Sequence, residues 1–259
     1  MLSYDRYRAV QLNLLAAYQQ VWPQAPFVFR IPFQASDPAE EARRYSFPVD
    51  GVRTPAPIQE TMDVLLRGFG DEDWVYWCMD DRYPLELDVA AMQEIAHWIL
   101  GENPPVDGLL CTRSPRDWRI SGAYLWRHRL IGPGGRVFLR KKHYGSIWSH
   151  QFLRVKVLHS LFSEFPKEIK QAKEMDHYLF QAKLPPAFRL YVVQRSLGLY
   201  AESASRGALT ANCVESMQAN RIPVPQGFKI VPKRIIHNGD RPGAWLRRMK
   251  DLAKLPLGR

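Results

Sequence analysis

The chain has 259 residues, enough to bury a substantial core as one large domain or two small ones. At 46% hydrophobic and 24% charged it is too apolar for general disorder, and no apolar run approaches the ~20 residues that span a bilayer. Its formal charge of +10 implies an anionic partner: nucleic acid, a phosphate-bearing small molecule or an acidic membrane face.

The three cysteines, Cys78, Cys111 and Cys213, lie far apart and without metal-ligand spacing. They read as reduced, buried thiols. The N-terminus lacks the basic-then-apolar order of a signal peptide, so the expected location is cytoplasmic.

In chain order, Tyr7 to Trp22 places Leu12, Leu14, Leu15, Tyr18 and Val21 at helical spacing. Pro23 and Pro26 end that segment, and Phe27 to Ile31 reads as a strand. Residues 34–55 are polar and turn-rich and predict a loop. Ile58, Met62, Leu65 and Leu66 give the next helix its apolar face. Trp74 to Met79 is an unbroken apolar run of strand length, the pattern of a strand buried on both faces. A helix over 88–100 and a strand over 106–111 follow. Val137 to Leu139 predicts a further strand, and Ser149 to Phe162 a helix. This alternation predicts a three-layer α/β architecture. Residues 233–259 form a basic C-terminal tail. From Pro242 the tail has the pattern of a short amphipathic helix, read first as a solvated, frayed tail packed by Trp245, with peripheral contact at the inner face of an anionic membrane as the alternative.

The apolar run ends in Asp80-Asp81-Arg82-Tyr83-Pro84. Ligands of open α/β sheets bind beyond the carboxyl ends of strands, and Asp80 and Asp81 stand there. Adjacent carboxylates need a positive neighbour. A divalent cation completed by phosphate oxygens is one solution and Arg82 another. The plainer alternative makes Asp80 a turn cap and Asp81 a solvated loop residue.

The segment Trp74 to Tyr83 resembles the acidic metal- and nucleotide-binding element of GT-A-type nucleotide-sugar glycosyltransferases of bacterial glycan biosynthesis. Upstream, Ser3-Tyr4-Asp5-Arg6-Tyr7 resembles their early S-x-D-x-Y turn. Downstream, Gly145 to Leu153 resembles the segment lining their cleft, and Ser205 to Leu209 resembles a late turn. The resemblance covers roughly residues 1–225 and implies a GT-A-like (Rossmann-like) fold, a mixed sheet flanked by helices in a domain over 1–232. It also implies sugar transfer from a nucleotide-diphosphate donor to a glycan or lipid-linked acceptor, with Mn²⁺ or Mg²⁺. The family carries a strand before its S-x-D turn. Here only Met1 and Leu2 precede Ser3, so that strand is truncated, misassigned at its start, or absent.

Under this resemblance Asp81 is the metal ligand and Asp80 holds the sugar or a water. Asp5 reaches the nucleobase or ribose, and Arg6 a phosphate. Arg140, with Lys141, Lys142 and His143, offsets phosphate charge or forms a solvated basic face. The base that deprotonates the acceptor is Asp176 or Glu168 by position, with Glu164 and Glu174 as surface carboxylates. His150 reads as a hydrogen-bonded core histidine. A glycosyltransferase-like protein without catalysis, acting as a binding or partner subunit, is the alternative reading. A nucleic-acid module has no supporting motif, because the aromatics sit within apolar runs and are not interleaved with Lys and Arg. A metal-dependent phosphotransferase lacks a visible further ligand set.

Overall fold

The computed structural model describes residues 1–112, 125–145, 147–169, 172–179, 182–202, 204–205, 208–224 and 226–232. The basic tail 233–259 and the centre of the Ser205–Leu209 turn lie outside the described residues. A 3-10 turn at Asp5–Tyr7 leads into helix α1, Arg8–Val21, which buries Leu12, Leu14, Leu15 and Tyr18 as their spacing predicts. Trp22 closes it, its N–H on Tyr18 O at 2.7 Å, and the following Pro23 prevents continuation.

Strand β1 is Phe29–Phe33. The predicted loop that follows contains a short helix α2, Ala39–Ala42, and a strand β2, Val49–Arg53, paired in parallel with β1. Asp50 and Gly51 interrupt its apolar pattern, so periodicity gives no strand signal and pairing with β1 supplies the order. Helix α3 spans Ile58–Leu65, strand β3 Trp74–Trp77 and strand β4 Arg82–Leu87. Asp88 caps helix α4, Val89–Gly101, accepting the Ala91 N–H at 3.0 Å.

Strands β5 (Gly108–Leu110), β6 (Leu125–Ile131), β7 (Val137–Lys141) and β8 (Gln151–Arg154) come next. Helices α5 (Val155–Ser163) and α6 (Ala172–Leu179) precede strands β9 (Leu190–Val193) and β10 (Gly198–Glu202). Two short strands, β11 (Ala204–Ser205) and β12 (Ala208–Thr210), then helix α7 (Ala211–Ala219) and strand β13 (Lys229–Val231), complete the described chain.

The single helix expected over 149–162 is therefore a strand followed by a helix. All four residues of β8 are buried, and it pairs antiparallel with both β3 and β5. Phe152 and Leu153 serve opposite faces of the sheet, which a helical stripe does not allow.

The main sheet is mixed, with order β3-β8-β5-β9-β7-β6. Its registers send β3, β5 and β9 in one direction and β8 and β7 in the other. Each face has its own core. Tyr76, Phe152, Leu109 and Phe138 meet α1 and α4, while Trp77, Leu153 and Leu190 meet α3 and α5. The result is three layers, helices on both sides of a mixed sheet.

Residues 1–2 join β1 to the end of β3. The Met1 amine donates to Arg30 O at 3.0 Å, the Leu2 N–H to Cys78 O at 3.2 Å, and Leu2 forms a parallel bridge with Met79. No helix among the described residues is long and apolar enough to cross a membrane.

Beyond the sheet, β4 pairs antiparallel with β10, Gly198 opposite Leu87. A Cβ on Gly198 would lie 2.6 Å from Glu86 O, a backbone atom with no freedom to retreat. Gly198→Ala is expected to cost about 1–3 kcal/mol in urea unfolding. An unchanged midpoint would show that β4 and β10 are not so closely paired.

Candidate functional site

Strands β3, β5 and β9 end on the same edge of the sheet, and the turn after β3 carries Asp80 and Asp81. Asp80 is only 7% exposed. Its Oδ2 accepts a short hydrogen bond from the Ser3 hydroxyl, 77 residues away in sequence. The Ser3 oxygen in turn accepts from Gln11 Nε2 at 2.7 Å, and Arg8 Nη1 donates to Gln11 Oε1 at 2.9 Å. Arg8 also reaches the Asp5 carboxylate at 3.4 Å. The early turn and the acidic turn, distant in sequence, thus form one hydrogen-bonded unit.

Asp5 is the other anchor of that unit. Its carboxylate accepts the backbone N–H groups of Gln34, Ala35 and Ser36, the closest at 2.7 Å, and so fixes the loop after β1. Burial pushes its carboxyl up, but these three donors and Arg8 outweigh burial and hold it below its ordinary value. Asp80 shows the opposite balance. Burial, then the neighbouring Asp81 charge, raise it to about 7 against the Ser3 and backbone hydrogen bonds. A cation or a ligand's donors beside Asp81 would relieve that cost.

Behind the acidic turn lies a buried polar cluster. His150 is 1% exposed and stacks on Tyr18. Met79 O, lying 3.1 Å from Nε2, can only accept, so Nε2 carries the proton and Nδ1 accepts from the Tyr18 hydroxyl at 2.6 Å. The Tyr76 hydroxyl lies 3.4 Å from that of Tyr18 and 2.9 Å from that of Tyr200. Burial drives Tyr18, Tyr76 and Tyr200 upward, so all three stay protonated. His150 is the packed, hydrogen-bonded histidine expected, and it fixes the carbonyl immediately before Asp80.

The remaining predicted residues are placed as follows. Asp81 is half-buried in the turn. Glu168 is exposed in the loop after α5, which is tied to α3 by the Ile58 N–H on Ile169 O at 3.1 Å. Asp176 lies on α6, and its side chain, like that of Arg6, is outside the described set. No described contact links Glu168 to the acidic pair.

Arg140 sits on β7, four strands from β3, a lateral distance on the order of 20 Å. Its guanidinium points to Pro186 O and Phe188 O, which precede β9 and so lie toward the edge opposite Asp80. Arg140 and Asp80 are therefore not brought to one phosphate. Ser3, Gln11 and Arg8 were not assigned roles from sequence. Ser3 was visible only as the first residue of the S-x-D turn, and Arg8 and Gln11 only as polar residues of α1, where Gln11 is fully buried.

No three or more His, Cys, Asp or Glu among the described residues are grouped to hold a metal. Two adjacent carboxylates do fit a Mg²⁺ or Mn²⁺ ion whose shell is completed by phosphate oxygens, and do not form an all-protein cage.

Two outcomes follow. Asp5→Ala is expected to lose about 1–3 kcal/mol in chemical unfolding, since three backbone donors lose their acceptor; a neutral result would free Asp5 for a ligand. Burial, ahead of the opposing Met79 contact, lowers His150 to about 3 from an unfolded 6.5. The stability from its neutral form is complete above pH 6.5 and is lost as pH falls toward 3. The stability advantage of wild type over His150→Gln should therefore shrink with acidification by about 1 kcal/mol per pH unit. Asp80 acts in the opposite sense over an overlapping window, so the difference between the two proteins carries the test; parallel profiles would contradict it. Set beside known proteins, the chain matches no family model and no curated sequence.

Proposed function

We propose that the chain is a GT-A-type glycosyltransferase that binds a nucleotide-diphosphate sugar at the acidic turn and transfers the sugar to a glycan or lipid-linked acceptor. The observation that carries this reading is the contact of Ser3 with Asp80. It brings together in space the two motifs, Ser3-x-Asp5 and Asp80-Asp81, on which the resemblance rests. The placement of Met1 and Leu2 between β1 and β3 supports it further, since the family carries a strand immediately before its S-x-D turn.

In this reading Asp81 would hold a divalent cation, which when bound would supply charge neutralisation at the donor's diphosphate. Asp80, positioned by Ser3 and Gln11, orients the donor sugar or a water. Asp5 acts indirectly by fixing the 34–36 loop as a wall of the nucleotide site. Glu168 and Asp176 remain the proposed bases, with Arg6 directed to phosphate.

A second reading, a binding or partner subunit that keeps the fold without catalysis, is favoured by one observation. Glu168 is exposed, and no described contact links it to the acidic turn.

Thermal unfolding with UDP or GDP separates the two. Nucleotide with Mn²⁺ should raise the midpoint, by an amount corresponding to about 2.7 kcal/mol at a hundred times Kd. The rise should vanish with EDTA and in Asp81→Ala. No rise with any nucleoside diphosphate, in a well-folded sample, would overturn the donor site and leave the non-catalytic reading.

A further inference from the structure

The basic run at the end of β7 does not serve the acidic turn, and it faces a cavity of its own. Arg140, Lys141 and Lys142 form one wall with His128, while Leu184, Pro185, Pro186 and Phe188 form the other. The space is an open cleft of about 370 Å³, in the range of small-ligand sites. Among the described residues no Asp or Glu lines it.

Arg140 is incompletely satisfied there. Its Nη2 donates to Pro186 O at 3.1 Å and to Phe188 O at 3.5 Å, which holds the apolar wall in place. Its Nε is buried and has no hydrogen-bond partner among the described residues. A buried N–H without an acceptor is costly, and an oxyanion would supply one. With Nη2 committed to the Pro186 and Phe188 carbonyls, Nε is the edge left to donate a charge-assisted hydrogen bond to one phosphate oxygen. Lys141 Nζ is held by Tyr144 O at 2.8 Å and Gly145 O at 2.6 Å, so it contributes charge from beneath. The neighbouring His143 registers this field: burial first, then Lys142 and Lys141, hold its imidazole below the ordinary value.

We propose that this cleft is a second ligand site, which binds an organic phosphate through Arg140 and Lys142 and covers its apolar portion with Pro186 and Phe188. His128 stands at the rim. The site is on the order of 20 Å from Asp80 by strand count and needs no metal. Its ligand is a phosphate ester, either soluble or a lipid headgroup with its glycerol and first methylenes against Phe188.

Calorimetric titration of the full chain with phenyl phosphate, in EDTA, tests this. Phenyl phosphate should bind saturably and more tightly than inorganic phosphate. Arg140→Gln should weaken it by about tenfold, the loss of a charge-assisted contact. Because Arg140 also supports the 186–188 backbone, Lys142→Gln and Phe188→Leu provide variants that leave those hydrogen bonds intact. Lys142→Gln should weaken both probes, and Phe188→Leu only phenyl phosphate. Absence of saturable binding, or equal binding by wild type, Lys142→Gln and Phe188→Leu, would overturn the proposal. Sedimentation with phosphatidylcholine vesicles containing phosphatidic acid distinguishes the source. Vesicle binding displaced by phenyl phosphate and lost in Lys142→Gln assigns a lipid headgroup. Phenyl phosphate binding without vesicle binding assigns a soluble ester.

Discussion

A carboxylate buried at the end of a strand must have its lost hydration replaced by protein, and Asp80 obtains that replacement from Ser3. The consequences spread outward. Ser3 is held by Gln11, Gln11 by Arg8, and Arg8 by Asp5, whose carboxylate gathers the backbone of residues 34–36. One acidic turn therefore organises the N-terminal segment, the polar edge of α1 and the loop after β1. His150, fixed by Tyr18 on one side and Met79 O on the other, holds the same turn from behind. Such a chain is cooperative: a partner missing at any point leaves a buried polar group unpaired.

The sheet gives this turn a rigid base. Inserting β8 antiparallel between β3 and β5 divides Phe152 and Leu153 between two cores, so both faces are packed with no slack in register. Gly108 marks the tightness of the centre, since a Cβ there would lie 2.6 Å from the Leu153 side chain and 2.7 Å from that of Leu190. At the far edge of β3, buried Asp107 receives Lys156 Nζ at 2.8 Å and the Arg189 N–H at 2.7 Å, and Arg154 lies over the Trp74 ring. The acidic turn and this paired cluster thus lie at opposite ends of the β3-β8-β5 part of the sheet.

Elements whose apolar period is sustained were legible in sequence. The stripe on α1, the helix expected over 88–100 and the run ending at Asp80 all gave local signals that tertiary packing reinforces. Elements ordered by pairing were not. β2 is broken by Asp50-Gly51, β4 contains Pro84, and β8 continues straight into α5, so its apolar residues suit a helix equally well. The site divided in the same way. Strand position singled out Asp80 and Asp81, and the S-x-D turn singled out Asp5. The connection through Ser3 and Gln11 depends on residues that meet only in the fold. The charge of Arg140 was visible, but which edge of the sheet it faced was not, because that depends on the β9–β7 register.

Charge is therefore distributed with a purpose beyond net sign. The acidic pair lies at one sheet edge among buried hydroxyls and amides, and the cationic cleft lies toward the other beside an apolar wall. The most direct measurement of the central claim is paramagnetic broadening of backbone amide signals by Mn²⁺ in the presence of UDP. Broadening centred on Ser3, Tyr4, Asp81 and Arg82, with Arg140 and Tyr191 unaffected, is the predicted result. Broadening centred elsewhere, or none with nucleotide bound, would contradict a donor site at the end of β3.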